Sequence, residues 1–204
     1  MIDYFALLNE PRRPWLDPDS LKRKFLALSA KSHPDRVHNA SAVEKRDAQQ
    51  RYTELNAAYN CLRETKERLL HLLELERGEK PNQVQNIPPE LMNLSLEVSG
   101  ICRQTDAFLA EKAGVSSPVL KVQLFERGHE WTEKLMADQK RVNSWHEHLL
   151  AELKAIDAGW NNLAVSDSAA RSALLERLEE LYRLFSYAAR WSAQIQERIV
   201  RLSF

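Results

Sequence analysis

Apolar residues recur along this chain every three or four positions almost from end to end. Leu21, Phe25, Leu28 and Ser32 stand at i, i+4, i+7 and i+11 and share one stripe of a helix, while Lys22, Leu26 and His33 project from an adjoining face. Tyr52, Leu55, Tyr59 and Leu62 repeat at intervals of 3, 4 and 3, predicting a second helix whose stripe can lie antiparallel on the first. Between the two stands His33-Pro34-Asp35-Arg36. Pro34 has no backbone N–H and biases His33 away from the helical region, so the first helix stops there and a charged loop begins.

The same punctuation marks the other elements. Residues 3–8 read as a short helix ended by Asn9-Glu10-Pro11. Asp17 is placed as N-cap with Pro18 at the first helical position, and that helix runs to about Ser32. Ser41, with Glu44 three residues on, has capping-box spacing for a third helix reaching about Glu64. Leu69, Leu70, Leu72, Leu73 and Leu75 mark a fourth, roughly 66–76, which stops at Gly78. Residues 78–89 lack periodicity, hold Pro81, Pro88 and Pro89, and read as a linker. Beyond them lie three long apolar patterns. One runs from Glu90 to Lys112 through Leu91, Leu94, Val98, Ile101, Phe108 and Leu109. The next runs from Ser117-Pro118 to Gly159 through Leu124, Trp131, Leu135, Val142, Trp145, Leu149, Leu153 and Ile156. The last runs from Ser168 to Leu202 through Leu174, Leu178, Leu181, Phe185, Ile195 and Ile199. None of these helices can bury its stripe alone. The expected fold is therefore all-α, with an N-terminal helical module over 1–77, a linker over 78–89 and an antiparallel three-helix bundle over 90–204.

Composition narrows the function classes. Lys plus Arg and Asp plus Glu number 29 each, so no net field draws the chain to nucleic acid or an anionic membrane. No apolar run approaches the roughly 20 residues of a membrane-spanning helix. The helical pattern opens at Asp3 and Tyr4, leaving no room for a targeting segment, and a cytoplasmic location is expected. Cys61 and Cys102 are far apart without C-x-x-C spacing, which favours a reducing compartment over a disulfide framework or a thiolate zinc site. Of the six histidines, His146 and His148 sit about 200° apart on a helix, and His38, His71 and His129 lack evident companions, so no metal is expected. A glycine-rich phosphate loop and a nucleophile motif are both missing, and the chain is not expected to be an enzyme.

Taken together, Tyr4-Phe5-Ala6-Leu7-Leu8, the helix around Phe25 and Leu28, His33-Pro34-Asp35, and Leu55-Asn56-Ala57-Ala58-Tyr59-Asn60-Cys61-Leu62 resemble a J-domain. Continuing through Lys66–Leu75 to Pro88-Pro89-Glu90-Leu91-Met92 and a long helical tail, the order is similar to the HscB-type co-chaperones. That resemblance implies a J-domain stimulating ATP hydrolysis by a DnaK/HscA-type chaperone, joined to a bundle that holds the iron–sulfur cluster scaffold protein. It assigns chaperone binding to His33, Pro34, Asp35 and Arg36 with Lys22, Arg23 and Lys31 on the basic helix, and client binding to Leu91, Met92, Leu96 and Glu97. It implies no cofactor on the chain itself. There are departures. Many J-domains carry a basic pair where this chain has Leu26 and Ala27, and the family pattern has more charge interleaved where this chain has Asn93, Leu94, Ser95 and Val98. Two alternatives stay open: a J-domain with another dedicated client, and a self-associating helical protein with a vestigial tripeptide.

Overall fold

The computed structural model describes residues 2–33, 41–81, 87–160 and 168–203, without the side chains of Glu90, Pro118, Lys121 and Ser168. All regular structure among these residues is helical: α1 (Tyr4–Leu7), α2 (Pro18–Lys31), α3 (Ala42–Arg63), α4 (Thr65–Arg77), α5 (Met92–Ala113), α6 (Pro118–Trp160) and α7 (Ser168–Leu202), with a 3₁₀ turn over Pro89–Leu91. The expected punctuation is in place. Asp17 accepts from the Ser20 N–H at the start of α2. Ser41 and Glu44 close a reciprocal capping box on α3. Caps of this kind contribute about 1 kcal/mol each. Gly78 ends α4 at φ 78°, a left-handed conformation that glycine alone adopts without strain.

The contacts divide the chain into two compact units. The first comprises residues 1–82 together with 151–183, and the second 83–150 together with 184–204. Residues 151–183, placed with the C-terminal bundle by sequence order, thus pack with the N-terminal helices.

In the first unit α2 and α1 pack on α3, and α3 on α4. Phe5, Leu8, Leu21, Leu55, Leu62, Leu69, Leu72 and Leu73 are fully buried between them. Phe25 of α2 stacks on Tyr59 of α3, ring centroids 4.3 Å apart, which fixes the two helices side by side. The end of α6 and the start of α7 join through polar groups. Glu179 is paired with Arg77 of α4 and accepts from Arg183 at 2.6 Å, and Arg171 reaches Glu76 at 2.5 Å.

The loop between α1 and α2 is gripped from two sides. Arg68 of α4 is buried and donates to the Pro14 carbonyl at 2.8 Å, to the Leu62 carbonyl at 2.7 Å and to Thr65 Oγ1 at 3.3 Å. Burial pushes its pKa down to about 10, so it is still a cation at neutral pH. Asp157 of α6, also buried, accepts from Arg13 Nε at 2.9 Å and from the Trp15 N–H at 3.0 Å. Trp160 Nε1 donates to the Arg12 carbonyl at 2.9 Å. Every polar atom in this knot that burial takes from water thereby has a protein partner to replace it.

His71 is a second anchor. It is buried on α4, stacks on Tyr4 with centroids 4.6 Å apart, and accepts the Tyr4 N–H on Nε2 at 3.1 Å. That bond needs a neutral ring. Burial lowers the His71 pKa, against a raising pull from Asp3 and Glu74, while Arg12 adds to the lowering. Because the folded value lies below the unfolded one of about 6.5, the unfolded chain takes up the proton first. The His71 contribution to stability is therefore complete above about pH 6.5 and is lost progressively as the pH falls from there through the lower folded value. Urea unfolding at pH 7.5 and 5.5 should show a lower midpoint at 5.5. In His71→Gln, which cannot titrate, this part of the slope should vanish.

The second unit is built from α5, the first part of α6 and the last part of α7. Phe108 of α5 lies near Trp131 and under Arg127 of α6, and its ring edge is 3.7 Å from where a Cβ at Gly128 would stand, an ordinary packing distance. Trp145 of α6 lies against Trp191 of α7, and Gln139 donates to Ser192 at 2.9 Å. Arg198 of α7 donates to Asp106 of α5 at 2.6 Å and to the Cys102 carbonyl at 3.3 Å. The order of these contacts makes α6 antiparallel to both neighbours, with α5 and α7 running the same way. This is the expected up-down-up bundle.

Candidate functional site

Two surfaces hold the residues assigned from sequence. The first is α2 together with the end of the α2–α3 pair at which it stops. His33 follows α2 directly, is half-buried and packs edge-on against Tyr52 of α3, centroids 5.3 Å apart, so the first residue of the tripeptide is seated on the hairpin. Pro34, Asp35 and Arg36 lie outside the described residues. Lys22, Arg23 and Lys31 are exposed and make no ion pair among the described residues, leaving their charge available to a partner. Lys24 differs. Its ammonium lies 3.0 Å from both the Asn9 carbonyl and Glu10 Oε1, so it ties α2 to the end of α1. Leu26 is exposed.

The second surface is the start of α5. The 3₁₀ turn delivers Leu91 inward, where it is 6% exposed, and brings Met92 and Leu96 out at 44% and 60%. Of the four assigned residues the structure therefore brings Met92, Leu96 and Glu97 to the surface. Leu91 supports them from beneath, because the turn into α5 points it at the core. Glu97 is paired with Arg141 of α6, both in solvent, where such a pair contributes little. Burial of Leu91 was legible in the period of Leu91, Leu94 and Val98, which is the core stripe.

Sequence reasoning missed a third feature. Val119, Val122 and Phe125 of α6 are exposed at 71%, 63% and 76%, and Phe125 lines a pocket of about 180 Å³ with Lys112, Leu124, His129 and Leu202. The signal was present as apolar residues off the core stripe of α6.

Cys61 is pushed up to about 11, mainly by burial, and burial also raises Cys102, so both thiols are protonated at neutral pH. Among the described residues no three His, Cys, Asp or Glu side chains are grouped to hold a metal ion, and no helix is long and apolar enough to cross a membrane.

No family model matches the chain. Over 72 residues, 35% of this chain and 42% of the relative, it is 42% identical to a protein named co-chaperone protein HscB homolog from Bordetella pertussis. Over 73 residues it is 38% identical to the protein of the same name from Azoarcus sp., covering 36% of this chain and 41% of that one. The matched stretch thus spans about two fifths of these curated relatives. Among solved structures, chaperone HscB from Vibrio cholerae superposes with a TM-score of 0.65 at 21% identity, covering 96% of each chain. Human co-chaperone protein HscB gives 0.60 at 19% identity, covering 98% of this chain and 81% of that one. The fold is that of HscB, and over about a third of its length the chain resembles the HscB-type co-chaperones in sequence.

Proposed function

We propose that this protein is a co-chaperone that stimulates ATP hydrolysis by a DnaK/HscA-type chaperone and delivers to it the iron–sulfur cluster scaffold protein. The observation that carries the reading is the seat of His33. It stands at the end of α2, against Tyr52, on a hairpin whose Phe25–Tyr59 stack fixes the two helices, and two residues after Lys31, which makes no ion pair among the described residues. Similarity to proteins named co-chaperone supports it.

The hydrolysis takes place in the partner. His33, Pro34, Asp35 and Arg36 dock on the chaperone while Lys22, Arg23 and Lys31 steer its acidic surface into register, a role in which charge speeds encounter and fixes orientation more than it adds affinity. Met92 and Leu96 bind the client through apolar contact, with Glu97 at the rim. One chain holding both partners raises the client's effective concentration at the chaperone. The work is done in the cytoplasm, where free thiols stay reduced.

A chaperone ATPase assay tests the first half. Asp35→Asn and His33→Gln should each reduce stimulation by about tenfold or more, as expected when a central anchor of a small interface is removed. Unchanged stimulation in both would dismiss the chaperone reading. Calorimetric titration with the scaffold protein tests the second half. Met92→Ala and Leu96→Ala together should weaken binding by about tenfold or more, two apolar contacts being lost from the centre of the patch.

A further inference from the structure

Gly100 stands mid-way along α5, where glycine is the least favourable residue after proline. Its own fold does not require it. A Cβ built there meets nothing within 4 Å, and its backbone is helical, so neither a close neighbour nor a positive φ demands a glycine. Positions 92, 96, 100, 103 and 107 follow one another at four, four, three and four residues along one face of α5. That face begins with exposed Met92 and Leu96. It continues past Gly100 to Arg103, which is exposed and makes no ion pair among the described residues. The arginines of α6 and α7 that reach α5 behave differently. Arg127 holds Glu111, Arg141 holds Glu97, and Arg198 and Arg201 share Asp106.

Resting on the reading of α5 as the client surface, we infer that Gly100 is where the client's backbone comes into van der Waals contact with α5, and that Arg103 holds a carboxylate of the client. The occupant is a protein segment with apolar side chains over Met92 and Leu96 and an Asp or Glu about 10 Å further along, the rise of the seven residues from Leu96 to Arg103. Charge complementarity selects it. The apolar end of the face supplies contact area, the missing side chain lets the main chain approach, and the unpaired guanidinium offers two parallel donors to one carboxylate. A segment with a basic residue at that point would be repelled, so Arg103 also discriminates among clients.

Full-length protein is titrated calorimetrically with the scaffold protein at low and high salt, using Gly100→Leu, Gly100→Ala, Arg103→Glu and Arg103→Lys. Gly100→Leu projects a side chain into open space and improves helix propensity, so its melting temperature should not fall, while affinity should drop by about tenfold or more. Gly100→Ala should lose less. Arg103→Glu should lose about tenfold and lower the salt sensitivity of binding, whereas Arg103→Lys keeps most of the affinity. If Gly100→Leu and Arg103→Glu bind like the parent while the Met92→Ala, Leu96→Ala pair does not, the inference is overturned and the client surface stands. If the parent does not bind the scaffold protein, the client reading falls and the inference with it. A concentration-dependent mass in light scattering that Gly100→Leu abolishes would assign the face to a second copy of this chain, and would likewise overturn it.

Discussion

Asp157→Ala should destabilise the first unit by about 2 kcal/mol, the cost of leaving a backbone donor unpaired and a half-buried arginine without its counterion. The carboxylate is only 4% exposed and takes two bonds from Arg13 and one from the Trp15 N–H. Alanine leaves a half-buried guanidinium without its counterion and a backbone donor without an acceptor. Asp157→Asn keeps one acceptor oxygen and removes the charge, so it should fall between the parent and alanine. The urea midpoint reads the difference. An alanine variant within about 0.5 kcal/mol of the parent, the scatter of ordinary surface substitutions, would mean that the loop does not depend on this group.

Arg68→Met should cost about 2–4 kcal/mol, although methionine matches the aliphatic stem and avoids burying a charge. The loss comes from the acceptors. The Pro14 and Leu62 carbonyls sit where water does not replace the lost donors. Burying an arginine is itself unfavourable, as its lowered pKa shows, so the two costs partly cancel and the net loss is smaller than the number of bonds implies. Double substitution with Asp157→Ala separates the terms. Both groups hold residues 12–15, so their effects should not add, and a coupling of about 0.5 kcal/mol or more is expected for sites that share a segment.

The sequence made the helices legible because their determinants are local. Asp17-Pro18, the Ser41/Glu44 pair and Gly78 are each read within four residues, and α2, α3 and α4 begin or end where those signals stand. The apolar stripes identified the core for the same reason, down to Leu21, Leu55 and Leu62 at no more than 1% exposure. Long-range polar contacts were not legible. Nothing near Asp157 in sequence marks it as the partner of Arg13, 144 positions away, since a buried aspartate on a helix and a solvated one are spelled alike. Arg68 and His71 are polar residues within the leucine pattern of α4, yet both are buried. For the candidate site, the tripeptide was readable as a pattern, whereas the packing of His33 on Tyr52 is a contact between two helices that no local signal marks. The exposure of Met92 and Leu96 depends on the 3₁₀ turn at Pro89, whose geometry sets which residues of α5 face outward.

The grip of Asp157 and Trp160 on residues 12–15 also bears on synthesis at the ribosome. The N-terminal helices emerge about 70 residues ahead of the segment that completes their unit, an interval of roughly 4–14 s at 5–20 residues per second. During it Arg13, the Trp15 N–H and the Arg12 carbonyl have no partner from α6. Loop closures spanning more than 140 residues must then be made late, which raises the contact order of an otherwise helical and locally connected unit. The nascent chain therefore holds its basic α2 and the His33 tip in a partly assembled setting until residue 183 has been added, and the module reaches its final rigidity only when the helices that carry the rest of the protein are nearly complete.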